Sequence, residues 1–384
     1  MCSDSDTTDS WIDCACGARY GANLPACPNC SAPNAFYGEK KRSTGGKAGI
    51  IAAIVIAAIA VIFIAPQFIG DLGGGTNNDN NPINSAIKIL QPQATKPEKV
   101  PQEELVAHVL AAINSDRKKF GLEPVTLGDN EAAQLHAEDV FKTKQISHWT
   151  TSGEKPYMTY TRLGGEGSVH QNVAIAGFGP DEYGRCVSTV ILCERIDPLS
   201  TIDELENEMM NNDKECCDNG HRDNILDRDH TRVSIGIAYD EYYLAMVQNF
   251  EADYGLSVDV EGTKVSIAGS VPAGDKFDNV VVYYDGLPDK QAYDANKEKL
   301  SYDAGTLVAS VFEPLPRGLR YQQPGDYVVI EADRWQDGNN NLDVSFDLAP
   351  AMKKDGVYTV YAMFDDEKGQ QFSATSHSIF AKTE

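Results

Sequence analysis

Thiols and imidazoles carry the potential chemistry of this chain, and the thiols fall into two sets. Cys2, Cys14, Cys16, Cys27 and Cys30 lie near the N-terminus, whereas Cys186, Cys193, Cys216 and Cys217 lie in the second half. In the first set, Cys27 and Cys30 have the two-residue spacing that lets two thiolates grip one zinc ion at about 2.3 Å. Cys16 supplies a third ligand and Cys14 a fourth, with Asp13 as the substitute for Cys14. Four protein ligands leave no open position, so such a zinc would be structural. In the second set, an even number of thiols in an oxidising compartment favours disulfides. A bridge between neighbours strains the peptide between them, so Cys216 and Cys217 are each expected to pair with Cys186 or Cys193.

The two sets are separated by residues 48–69, AGIIAAIVIAAIAVIFIAPQFI, a run without charge. At about 1.5 Å per helical residue it covers roughly 33 Å, enough for a hydrocarbon core of about 30 Å. Lys40, Lys41, Arg42 and Lys47 precede it and Asp71 follows, which places the N-terminus in the cytoplasm. The expectation is a single-pass protein of the cell membrane with a retained signal anchor, reducing conditions around the first cysteines and oxidising ones around the rest. The net charge of −24 resides mostly in the outer part and argues against nucleic acid as a partner. The division is a tail at 1–10, a metal module at 11–35, a basic juxtamembrane segment at 36–47, the span at 48–69, a Gly/Asn/Pro-rich tether at 70–100, and outer domains at 101–254 and 255–384.

The first outer domain opens with two helical patterns. Leu105, Val109, Ala112 and Ile113 form one apolar stripe, and Ala132, Leu135 and Val140 another. SIGIAYD and YYLAMVQNF follow later as an alternating hairpin. The second domain is strand-like throughout, with alternating segments such as NVVVYYDG, TLVASVF and GVYTVYAMF between Gly, Pro, Asp and Asn turns. This predicts a β-sandwich, and on strand number and length one of immunoglobulin-like topology.

The strings SHWTTSGEKPYMTYTRLGG, HQNVAIAGFG, GHRDNILD and RVSIGIAYDEYYLAMVQNF occur in the order seen in the CAP superfamily. This is the superfamily of cysteine-rich secretory, antigen 5 and pathogenesis-related proteins, and the strings are most similar to its prokaryotic branch. The N-terminal module WIDCACGARYGANLPACPNCSAPN resembles a zinc ribbon, with Ser31 in place of a glycine and the first C-x-x-C compressed to Cys14-x-Cys16. The CAP resemblance implies an α-β-α sandwich whose cleft presents two histidines and two acids able to hold a divalent metal. His148 and His221 match the histidines. Gln171 stands where the first acid is expected, and the last acid falls on Asp213 or, failing that, Glu208. His170 could add a third nitrogen.

The overall expectation is an α+β fold: CAP-type α-β-α sandwich, all-β C-terminal sandwich, small zinc ribbon and one transmembrane helix. An amide at position 171 can neither neutralise a cation nor take a proton well, which favours a ligand- or surface-binding module over an enzyme. Zinc or another divalent ion bound weakly at His148 and His221 is compatible with that. A metal-dependent extracellular hydrolase would need a carboxylate from Asp213, Glu208 or Glu166, and an envelope or adhesion role would rest on the sandwich. The ribbon could recruit a cytoplasmic protein partner. Asp337, Asn339, Asn341 and Asp343 have the alternate spacing of a calcium loop, but Leu342 and Leu348 replace its glycine and bidentate acid, and a hairpin turn explains the same residues.

Overall fold

The computed structural model describes residues 99–382 apart from 189–190, 272–273 and 339, together with one N-terminal strand pair. That pair is β1, Trp11–Asp13, antiparallel to β2, Arg19–Gly21, within a unit spanning Met1–Asp71. Cys14, Cys16, Cys27, Cys30 and the expected span at 48–69 lie outside the described residues. No described helix is long and apolar enough to cross a membrane.

The other unit, Leu72–Glu384, contains the two domains expected at 101–254 and 255–384. It begins with α1, Gln102–Lys119, whose Leu105, Val109 and Ile113 recur at every fourth position and are wholly buried. Glu103 and Glu104 in the first turn and Arg117, Lys118 and Lys119 in the last complement the helix dipole. Then come β3 (Thr126–Leu127), α2 (Ala132–Thr143), α3 (Pro156–Arg162), β4 (Ser168–Gly177), α4 (Pro180–Val187), α5 (Pro198–Asn211), α6 (Lys214–Cys217), α7 (Gly220–Leu226), β5 (Arg232–Tyr239) and β6 (Tyr243–Ala252). The four strands form one sheet in the order β3-β5-β6-β4. Every residue of β6 is buried. Its alternate side chains serve two cores: Leu244, Met246 and Phe250 pack with Ile113, Ile202 and Ile225, while Tyr243, Ala245 and Val247 pack with Ala133, Ala137 and Val140. Helices therefore cover both faces of the sheet, as expected for an α-β-α sandwich.

The buried face of α2 differs from the expected stripe. Leu135 is exposed, and Ala132, Ala133, His136, Ala137 and Val140 point inward. Small residues let this helix approach β5 closely, where a Cβ on Gly236 would strike the Ala133 carbonyl.

The C-terminal domain has β7 (Ser257–Glu261), β8 (Lys264–Ser270), β9 (Lys276–Asp285), α8 (Lys290–Asn296), β10 (Thr306–Phe312), β11 (Val328–Glu331), β12 (Arg334–Gln336), β13 (Asn341–Asp347), β14 (Gly356–Asp365), β15 (Gln371–Ser373) and β16 (His377–Ala381). One sheet runs β11-β10-β9-β14-β15 with β16 also on β14, and the other β12-β13-β8-β7. They share a core that includes Ile267, Val280, Val311, Phe346 and Val360, which makes a β-sandwich.

The two domains of this unit are joined by polar contacts. Lys155 at the start of α3 donates to Asp285 Oδ1 at 2.7 Å and Asp303 Oδ1 at 2.8 Å, and Tyr157 donates to Asp285 Oδ2 at 2.6 Å. The hydroxyls of Ser168 and Ser373 lie 2.6 Å apart.

Candidate functional site

Strand β4 is an edge strand, and its alternation sends successive residues to opposite faces. Gln171 points toward the segment after α2. Its Oε1 accepts from His148 Nδ1 at 3.1 Å, and its Nε2 donates to Asn249 Oδ1 at 3.1 Å. Asn249 is wholly buried and its Nδ2 has no partner. His148 is held from below by its neighbour, since buried His136 bonds the Ser147 carbonyl at 2.7 Å. From above it meets the C-terminal domain: the Tyr302 ring lies edge-on at 5.1 Å, the Leu300 backbone is within hydrogen-bonding reach, and Tyr302 OH accepts from the Gln171 N–H at 3.2 Å. Burial, with His136 and His221 nearby, pushes the His148 imidazole down to about 4 against the Gln171 hydrogen bond, so at neutral pH it carries no charge.

Asp213 follows α5 and is buried. Its Oδ1 accepts from His221 Nδ1 at 2.6 Å, and its Oδ2 from the backbone N–H groups of His221 at 2.8 Å and Arg222 at 3.2 Å. Burial alone would raise this carboxyl, but the hydrogen bonds and charge of His221 outweigh it and hold the group below its ordinary range. With Nδ1 tied to the carboxylate, Nε2 is the His221 nitrogen left for another partner. The His221 carbonyl accepts from Asn172 Nδ2 at 3.0 Å, which fastens α7 to β4.

His148 with Gln171, and His221 with Asp213, are thus brought into two adjoining pairs along the β4 edge. Three other candidates are not. Across the strand from Gln171, His170 is exposed, with Nδ1 at 3.0 Å from His230 Nε2, because neighbouring residues of a strand cannot share a face. Glu208 is exposed on α5 and accepts from Asn212 Nδ2 at 2.9 Å. Glu166 lines a cavity with Asp129, Arg232, Glu251 and Asp253 that includes neither cleft histidine. The buried acid of α5 is Glu206, which sequence reasoning passed over. It accepts from Gln248 Nε2 at 2.7 Å, and Gln248 Oε1 accepts from Asn172 Nδ2 at 3.2 Å, so a polar chain leads from Glu206 to the His221 backbone. The available signal was its place among Ile202, Leu205, Met209 and Met210.

The cysteine pairing differs from expectation. Cys186 bonds Cys193, and Cys216 bonds Cys217. The first bridge closes a loop within one segment, at a Cα separation of 5.5 Å, and among the described cysteines this leaves the adjacent pair only one another. Of the residues weighed for calcium, Asn339 lies outside the described residues, Asn341 begins β13, and the Asp343 carboxylate is bound by Arg334 at 2.8 Å across the β12–β13 ladder. Asp337 precedes that turn, which has the form of a hairpin.

Residues 110–250 match the model of the Cysteine-rich secretory protein family, CAP. No curated protein matches the chain. Among solved structures, an outer surface protein from Borrelia burgdorferi is similar over 40% of this chain and 97% of its own, at 14% identity and a TM-score of 0.26.

Proposed function

We propose that the CAP domain of residues 110–250 is a non-catalytic ligand- or surface-binding module, held outside the cell by a single membrane span at residues 48–69. The observation that carries this is the amide at position 171. Gln171 joins His148 to Asn249 in an uncharged hydrogen-bonded floor, and the unpartnered Asn249 Nδ2 offers a buried donor there. Such a floor suits a neutral, oxygen-bearing ligand better than activation of water, for which no carboxylate bonds His148. A weak divalent site shared by His148 and His221 remains compatible, since the carboxylate behind His221 orients its ring in the way that second-shell acids orient zinc-binding histidines.

The same Asp213–His221 pair is what favours the alternative, a metal-dependent hydrolase. Supporting a role for the C-terminal domain in binding or spacing, its strand order β7-β8-β13-β12 opposite β10-β9-β14-β16 parallels the ABED and C′CFG sheets of an immunoglobulin-like sandwich. At the N-terminus, strands β1 and β2 bracket Cys14 and Cys16 in sequence, which supports a structural zinc ribbon.

The test is zinc content and peptide hydrolysis of the Leu72–Glu384 unit beside its His148→Ala/His221→Ala double variant. The expected result is zinc that dialyses away from the parent protein and no turnover in either. Zinc-dependent hydrolysis lost with the two imidazoles would replace the binding reading by the hydrolase.

A further inference from the structure

Away from the cleft floor, the turn between α5 and α7 gathers four metal-ligating groups on one short stretch of chain. Asp213, Cys216, Cys217 and His221 each offer an atom, and these atoms all lie within 4.8 Å of one another. Two consecutive left-handed residues, Asp218 at φ 51° and Asn219 at φ 67°, reverse the chain after α6 and return His221 to Asp213. Cys216 Sγ lies 3.6 Å from Asp213 Oδ1, the atom that holds His221 Nδ1. Cys216 is exposed and Cys217 half-buried, so the bridge between them is open to exchange.

We propose that this turn is a redox-gated metal site: with the Cys216–Cys217 bond reduced, the two thiolates, His221 and Asp213 capture one zinc-class divalent cation. A dithiol reductant breaks the sulfur–sulfur bond, its own sulfurs become a disulfide, and its two protons and two electrons leave Cys216 and Cys217 as thiols. Metal binding then displaces both thiol protons to solvent, while the proton between His221 Nδ1 and Asp213 is replaced by one on Nε2, so that the ring ligates as a neutral imidazole. The resulting S₂NO set suits a four-coordinate borderline or soft cation, for which bonds of about 2.0–2.3 Å are expected. In the oxidised state the sulfurs are bonded to each other and the site is closed, with His221 hydrogen-bonded to Asp213 as observed. Capture does not depend on the cleft reading. Its consequence does: a metal on Nδ1 would change the partner that orients His221, and so link thiol redox state to the cleft.

Cadmium titration of the purified full chain, followed by thiolate-to-metal absorption, tests the capture. Protein reduced with a dithiol and desalted without air is compared with oxidised protein, each beside Cys216→Ser/Cys217→Ser, so that the N-terminal cysteines are common to all samples. Reduced parent protein is expected to take one more equivalent than the reduced variant, and the oxidised pair to take equal amounts. His221→Gln should weaken the extra equivalent by about tenfold or more. Equal cadmium in reduced parent and serine variant, an extra equivalent indifferent to His221→Gln, or a pair that resists alkylation after dithiol treatment would each overturn the proposal. The serine changes sit on a partly exposed turn, and if His221→Gln lowers the melting temperature the serine comparison alone decides.

Discussion

Glu206 occupies a position of α5 at which the helix otherwise buries Ile202, Leu205, Met209 and Met210. Burial lifts its carboxyl from the ordinary 4.5 to about 7 against the Gln248 hydrogen bond, and its Oε1 has no partner. Between those two values the native state holds a proton that the unfolded chain has lost. The associated stability is therefore full below the unfolded value and disappears as pH rises through the folded one. His148 acts in the opposite sense: its folded value of about 4 lies below the ordinary 6.5, so stability is lost as pH falls across that window. Burial shifts His230 in the same direction as His148. Across about pH 4.5 to 7 the loss tied to Glu206 opposes the gain tied to the histidines, so Glu206→Gln should steepen the rise of stability with pH through that window, by about 3 kcal/mol in all, and leave the slope above pH 7 unchanged. A scan of melting against pH for both proteins checks this, and an unchanged slope between about pH 4.5 and 7 would contradict it. Arg117 is a second residue hidden in an apolar pattern. It follows Leu105, Val109 and Ile113 at the next fourth position, is 1% exposed, and donates to the carbonyls of Glu123, Ile225, Asp227 and His230. These bonds secure the end of α7, the helix whose first turn carries His221. Arg117→Met should cost about 3 kcal/mol or more in urea unfolding by leaving buried carbonyls without donors; a loss below about 1 kcal/mol would mean that water replaces it.

At the scale of elements, periodicity made much of the fold readable. The α1 stripe, the β5–β6 hairpin and the sandwich strands follow from spacings of four and two, because side-chain direction in helices and strands is set locally. The face of α2 was misread because Leu135 is the most apolar residue near the stripe, whereas the contact with β5 at Gly236 admits only small side chains. The seam between the two domains of Leu72–Glu384 was not readable at all. Its central ion pair, Lys155 with Asp285, has side chains 9% and 15% exposed and joins positions far apart in sequence. Removing one member leaves the other buried and uncompensated, so Lys155→Ala should cost about 3–5 kcal/mol. Denaturant unfolding of the Leu72–Glu384 unit would register this as a lower midpoint. A midpoint unchanged by Lys155→Ala would show that the pair is fully solvated.

For the whole molecule, Leu72–Glu384 is a compact unit with separate cores for its two domains, and the strand pair β1–β2 belongs to the other unit. If residues 48–69 anchor the chain, deletion of residues 1–71 should move the protein from a carbonate-washed membrane fraction to the soluble one without changing the melting of the outer domains. Retention in the membrane would point to a second attachment. Sequence alone determined the α+β class, the ordered blocks that resemble the CAP superfamily, the helix-and-hairpin content of the first of the two domains and the sandwich of the second, because each is written in local spacing or in contiguous motifs. Tertiary structure decided that Cys216 bonds Cys217, that Glu206 rather than Glu208 is the buried acid, that His170 turns away from Gln171, and that Tyr302 of the sandwich reaches His148. Those facts depend on which distant side chains meet. Periodicity reports that a face is buried and leaves open what it is buried against.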